Sequence, residues 1–397
     1  MSAEDRTWNA DVINPLEGLS MANGLRTPLC DFLGIEYPIV LAGMAAGGQS
    51  QTTAPTPVKL VAAVSNAGGL GVMGDNFADL DDLDAGIREL RGLVGDKPFG
   101  VDFLLPATRA EVTSTSKHEV YADIRMEYPR HVAVVEELIA EHGLESAELS
   151  PSEPMSTDLL NRKIDVLLDN KVPVFAAALG DPAFMTERAH AQGMKVIGMA
   201  GAVRHAERQR AANVDIITAQ GTEAGGHTGN ISTMVLVPQI VDAVDPMPVL
   251  AAGGIGTGRQ VAAALALGAQ GVWVGTAFLA SDETNIPSDH QEQILGGRSE
   301  NFTLSKFLSG KQQRSYQNLV KDAWADSGLP PLEMPLQGIL QEPFTRAARM
   351  SGRYDLVGNP SGQISGMLNE SRPARDILMD MVADAGATVE RMRSQVS

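Results

Sequence analysis

The 397-residue chain carries 49 acidic against 31 basic side chains, a formal net charge of −18. That balance repels phosphate backbones and anionic lipid, which excludes a nucleic-acid reader or a membrane-surface protein; an anionic ligand must be held by backbone amides and helix ends. The single cysteine, Cys30, rules out an internal disulfide or a multi-cysteine metal site, and no apolar run nears the roughly 18 residues of a membrane span.

With 44% hydrophobic and 20% charged residues, 40 glycines and 22 prolines, the composition is that of a folded chain rich in tight turns. Residues 1–27 read as a polar arm lying on the surface or on a partner. Residues 1–19 lack the basic-then-apolar order of a signal peptide, so a cytoplasmic protein is expected. A helical turn begins at Thr27-Pro28-Leu29, and from Pro38 onward short apolar runs end in Gly or a polar residue and lead into Ala- and Leu-rich amphipathic stretches. The runs fall at 38–44, 69–74, 99–106, 173–180, 195–200, 215–220, 248–254 and 271–276. Eight buried-type strands alternating with helices predict an α/β fold, a (β/α)₈ TIM barrel over 28–290. An open doubly wound sheet would want a Gly-rich dinucleotide loop after the first strand, and Gly43-Met44-Ala45-Ala46-Gly47-Gly48 lacks that spacing.

Two segments exceed a minimal barrel. An insertion after strand three, 107–165, contains a helix from about Arg130 to His142, and a C-terminal helical cap region, 291–397, is interrupted at Pro330-Pro331 and 358–362. Both are expected to cap the barrel mouth, where such enzymes carry their active sites.

The strand ends carry the chemistry. Ala252-Gly253-Gly254-Ile255-Gly256-Thr257-Gly258 and Val274-Gly275-Thr276 let successive backbone N–H groups converge on an anion, a phosphate cradle without a lysine. Ala42-Gly43-Met44-Ala45 offers a strip on which a flat ring can lie; a Met at a strand end otherwise serves core packing. Asp102 interrupts an apolar strand where alternation turns it toward the mouth, so it should meet a donor or a ligand. Gln220 supplies a donor and an acceptor just before a loop in which Gly221, Gly225, Gly226 and Gly229 surround His227. Glu223 and Arg204 read as a structural pair without a catalytic role.

Gln220-Gly221-Thr222-Glu223-Ala224-Gly225-Gly226-His227-Thr228-Gly229, the stretch Ala251-Ala252-Gly253-Gly254-Ile255 and the run 271–276 resemble the nitronate monooxygenase family, formerly called 2-nitropropane dioxygenases. The same pattern includes flavin-dependent enoyl reductases of bacterial fatty-acid synthesis. The resemblance, covering roughly residues 30–290, implies an FMN barrel. Asp102, Gln220, Gly225, Gly226, Gly253, Gly254, Trp273, Val274, Gly275 and Thr276 would contact the cofactor, and Ala42, Gly43, Met44 and Ala45 would lie along the ring. Two departures stand out. The family commonly has Asn where this chain has Asp102. Some members carry a catalytic His on the fifth strand, where the matching run here is Val196-Ile197-Gly198, which leaves His227 or a cap residue as the candidate catalytic side chain.

The resemblance implies oxidation of a small-molecule alkyl nitronate by O₂ to a carbonyl compound and nitrite, with the flavin carrying the redox chemistry. The alternative is an enoyl-thioester reductase drawing hydride from NAD(P)H. A homo-oligomer is left open.

Overall fold

The computed structural model describes residues 25–396 apart from 46–53, 75–78, 106–109, 111, 113 and 155. Most of the expected arm, 1–24, and the end of the third expected strand at Pro106 lie outside the described residues.

Eleven strands are present among them: β1 Ile39–Leu41, β2 Gly71–Gly74, β3 Phe99–Leu104, β4 Val174–Ala178, β5 Lys195–Ala200, β6 Ile216–Gln220, β7 Gly226–His227, β8 Val249–Ala252, β9 Gly271–Val274, β10 Phe302–Ser305 and β11 Gln313–Tyr316. Eight form one parallel sheet in the order β1-β9-β8-β6-β5-β4-β3-β2. A parallel bridge between Val40 and Leu70 joins its ends, with Leu41 N donating to Leu70 O at 2.9 Å and Leu70 N to Ile39 O at 3.0 Å. The expected TIM barrel is thus observed, each of its eight strands falling within an expected run.

Side chains of a barrel strand alternate between the interior and the surrounding helices. Val40, Val72, Val174, Ile197, Ile216, Leu250 and Trp273 fill the interior together with Leu29, Cys30 and Leu33 of the helix Pro28–Leu33. Leu41, Phe103, Phe175, Val196, Ile217, Ala251 and Val274 pack outward against the helices. Cys30 behaves as a core hydrophobe, and its burial pushes the thiol pKa up.

The insertion and the C-terminal region build one cap. Val120, Ile124, Val135 and Leu138 of helices Lys117–Glu127 and Pro129–Glu141 share a core with Trp324, Leu340 and Phe344 of helices Leu319–Asp326 and Leu336–Met350. The expected helix near 130–142 is thus Pro129–Glu141, with proline at its first turn, where a missing N–H costs nothing.

The C-terminal region differs from its expectation in two ways. It is not wholly helical, since β10 and β11 pair antiparallel and β11 also pairs with β7, matching Gln313 with His227. Its last helix, Ala374–Val396, belongs to the barrel layer: Leu378, Met381 and Ala385 join the outer core, and Arg259 N donates to Asp384 Oδ2 at 2.9 Å. Packing is close enough that a Cβ on Gly258 would lie 2.2 Å from Ala385 N. The cap is therefore inserted between the eighth barrel strand, β9, and the helix that completes the ring.

Candidate active site

A cavity of about 590 Å³ opens at the carboxyl ends of the barrel strands beneath the cap. Its size lies within the usual range of roughly 300–1,000 Å³ for cofactor and ligand sites. Register explains which residues converge there. Val40 pairs with Trp273, Trp273 with Ala252, and Ala252 with Gln220, so these four form one tier of the interior.

Of the residues singled out from the sequence, Ala42, Gly43, Met44, Ala45, Asp102, Gln220, Gly225, Gly226, His227, Gly253, Gly254, Trp273, Gly275 and Thr276 all line this cavity. Val274 does not; strand alternation turns it into the outer core. Gly198 likewise faces outward, where a Cβ would lie 1.8 Å from Gln209 Oε1. Gln209 reaches in from helix Val203–Ala211 and donates to Met199 O at 2.7 Å and Gly180 O at 3.1 Å. The fifth-strand side chain facing the cavity is Met199, not residue 198.

The small residues leave room that a ligand can use. Gly253 and Gly254 have φ of +100° and +71°, a region costly for side chains, and a Cβ on Gly253 would meet Gly221 O at 2.8 Å. Farther along that loop, Gly256 N and Thr257 N donate to Gln260 Oε1 at 3.0 and 2.9 Å, so the expected cradle narrows to the two cavity-lining glycines. On the next strand a Cβ on Gly275 would project to 3.4 Å from Met44 Sδ and 3.5 Å from Ala42 Cβ. The Thr276 hydroxyl accepts from Gly362 N at 2.9 Å, tying the cap's return loop to this corner. Asp102, 5% exposed, sits against Gly43, where a Cβ would come within 2.3 Å of its own. A backbone-lined recess beside the flat strip Ala42 to Ala45 fits a phosphate-bearing planar group.

His227 is partly buried, and its Nε2 lies 2.8 Å from Ser309 Oγ of the cap. Gln220 Nε2 donates to the His227 carbonyl at 3.1 Å, bracing the loop from the barrel side. Burial, with the positive charge of Lys311 added, lowers the imidazole pKa to about 4, so His227 is neutral at neutral pH. It can donate or accept a hydrogen bond but offers no resident positive charge. The Glu223 carboxylate accepts from Thr233 N at 3.0 Å and Thr233 Oγ1 at 2.8 Å, serving helix Thr233–Val244 and not the exposed Arg204.

Several lining residues were not anticipated. His290 is buried, its Nε2 lies 2.9 Å from Ser361 Oγ, and burial lowers its pKa to about 4. Lys117 of the insertion donates to Glu342 Oε2 at 2.9 Å, Ser150 Oγ at 2.7 Å and Ser152 Oγ at 2.9 Å. These partners are up to 225 residues apart in sequence, so no local motif announces them.

The nitronate monooxygenase family profile matches residues 26–384. A Staphylococcus aureus relative named as a probable nitronate monooxygenase is 33% identical over 366 residues, covering 89% of this chain and 96% of that protein. Among solved structures, a nitroalkane oxidase from Streptomyces ansochromogenes superimposes with a TM-score of 0.75 at 29% identity, over 93% of this chain and 99% of the other. FabK from Thermotoga maritima does so with a TM-score of 0.72 at 29% identity, over 94% and 99%.

Proposed function

This chain belongs to the nitronate monooxygenase family of flavin-dependent oxidoreductases, and from that premise we propose that it holds FMN and oxidises alkyl nitronates with O₂ to a carbonyl compound and nitrite. When bound, the flavin supplies the redox chemistry, taking electrons from the substrate and delivering them to oxygen. The amides of Gly253, Gly254, Gly275 and Thr276 would hold its phosphate, and Ala42 to Ala45, Trp273, Asp102, Gln220, Gly225 and Gly226 would hold its ring system. His227 gives the nitro group a neutral hydrogen-bonding partner whose orientation Ser309 fixes.

One observation carries this reading: the fifth-strand residue at the cavity is Met199, and both imidazoles that line the cavity, His227 and His290, are held neutral with pKa values near 4. So weak a base abstracts protons from carbon poorly, whereas a nitronate arrives already deprotonated. Oxygen uptake and nitrite release with propyl nitronate, well above those with the parent nitroalkane, are expected of purified FMN-loaded protein. No uptake with any alkyl nitronate would remove the reading.

The likeness to FabK, nearly as close as that to the nitroalkane oxidase, supports a second reading in which NAD(P)H is the reductant and an unsaturated acyl thioester accepts hydride at its β-carbon. His227 would then hydrogen-bond the thioester carbonyl. Rapid anaerobic bleaching of the flavin by NADH or NADPH, without bleaching by nitronate, favours it.

A further inference from the structure

The cap side of the cavity carries polar groups for which the chemistry above has no use. One is Gln341 on helix Leu336–Met350. It is 2% exposed, yet neither its amide nitrogen nor its amide oxygen has a hydrogen-bond partner among the described residues. A buried amide with both ends unmet is costly to keep, so its partner is to be sought in what enters the cavity. The amide is closed to water while its residue lines the cavity, and a turn of the side chain presents it to an occupant.

A hydrogen-bond count around the next residue, Glu342, supplies an independent sign. The Lys117 ammonium directs its protons to Ser150 Oγ at 2.7 Å, Ser152 Oγ at 2.9 Å and Glu342 Oε2 at 2.9 Å. Ser150 Oγ and Ser152 Oγ lie 3.0 Å apart, so one hydroxyl proton serves that contact and the other has no acceptor among the described residues. Both serines line the cavity, where the spare proton, polarised by the ammonium, is offered to an acceptor. Glu342 already matches the charge of Lys117, so this wall calls for a neutral group. Leu104, Leu159, Leu160, Leu179, Leu308 and Ile339 line the same cavity and suit an apolar chain.

We propose that Gln341 is a specificity-determining residue of the cap that pairs edge to edge with a carboxamide of the occupant, donor to acceptor and acceptor to donor, with the spare serine proton as a further donor to the same molecule. The group recognised is thus an uncharged amide, selected over its ketone isostere and over a carboxylate. A substrate tail and a nicotinamide reductant can both bring this group, and the test separates them. The proposal rests on this cavity being the substrate site of the flavin enzyme, but not on nitronate being the reacting group.

Equilibrium titration of the holoenzyme with hexanamide, heptan-2-one, hexanoate and nicotinamide, each separately, tests it, read by the flavin absorbance change and by the shift in thermal midpoint. Neither readout needs turnover, so a failed nitronate assay and a failed amide subsite are told apart. Heptan-2-one has the shape of hexanamide with a methyl in place of the amide nitrogen, so this pair isolates the amide donors. Wild type should bind hexanamide saturably and about tenfold or more tighter than heptan-2-one. Tighter binding of hexanamide than of nicotinamide assigns the amide to a substrate tail, and the reverse order assigns it to a reductant. Gln341→Leu should bring hexanamide and heptan-2-one within about twofold of each other, and Ser152→Ala should weaken hexanamide several-fold. Because Gln341→Leu removes two unmet groups from a buried site, it should not lower the thermal midpoint of the unliganded holoenzyme. No saturable amide binding, tighter binding of hexanoate than of hexanamide, or an amide preference that survives Gln341→Leu would each overturn the proposal. So would a midpoint several degrees lower in that variant, which would mean that the amide is met inside the protein.

Discussion

Nε2 of His227 lies 2.8 Å from the hydroxyl of Ser309, fastening the loop after the sixth barrel strand to the cap. The contact is backed by the main chain, since His227 pairs with Gln313 in the small antiparallel sheet. Imidazole placement therefore depends on a segment more than eighty residues downstream. Replacing His227 with Ala should leave FMN bound while lowering kcat/KM for nitronate by about 10²-fold, the scale of losing one positioned donor. Ser309→Ala, which frees the ring without removing it, should cost several-fold. Steady-state kinetics with flavin content measured on the same samples checks both.

Two buried-type histidines with lowered pKa give the protein a defined acid sensitivity. His227 and His290 titrate near 4 in the folded chain, below the value of about 6.5 expected when unfolded. Above pH 6.5 both states hold them neutral and they do not alter stability. As pH falls from about 6.5 toward 4 the unfolded chain binds the protons first, so stability declines, by up to about 3 kcal/mol per histidine. Chemical denaturation at pH 7 and 4.5 should show this loss, and His290→Gln should reduce the pH dependence. An unchanged slope in that variant would place the acid sensitivity elsewhere.

Glu342 works in the opposite sense. Burial pushes its carboxyl up, but hydrogen bonds from Ser150 and Lys117 outweigh that and hold it below the usual carboxylate range. Its contribution is present above the unfolded pKa and lost as pH falls through the folded one. Glu342→Gln leaves Lys117, itself largely enclosed, without its anion, and should destabilise the cap by about 1–3 kcal/mol at pH 7. Urea denaturation at pH 7 should register that loss, which shrinks toward acid pH.

Strand alternation separates two substitutions that look equivalent in sequence. A side chain at residue 198 runs into Gln209, so Gly198→His should misfold or lose several kcal/mol without adding a base. Met199→His points an imidazole into the cavity and should raise turnover of neutral nitroalkane relative to nitronate. Assaying both substrates with each variant checks the pair.

Gly275→Ala offers a complementary test, because its Cβ would stop at 3.4 Å from Met44 Sδ, an ordinary contact. The variant should fold with a near-native midpoint yet retain less flavin, measured as bound chromophore per chain.

The barrel was legible because each parallel strand, buried on both faces, reads as a short apolar run ended by glycine. The same property hid which face each residue takes: Val274 and Gly198 look like cavity residues until alternation is fixed by the register of neighbouring strands. The Gly-rich loops were visible for a local reason, since positive φ at Gly253 and Gly254 needs that residue type. Strands β10 and β11 were not, because their mixed polar sequences are held by pairing with each other and with Gly226 and His227. Nor was the barrel role of the last helix, whose partner Gly258 lies more than a hundred residues earlier.

The most direct test of the central claim is an anaerobic titration of the FMN-loaded protein, first with propyl nitronate and then, on a fresh sample, with NADPH, followed by readmission of oxygen. Oxidation of nitronates predicts loss of the oxidised flavin spectrum with nitronate, and its return with oxygen accompanied by nitrite. Flavin that stays oxidised under nitronate but bleaches with NADPH would contradict it.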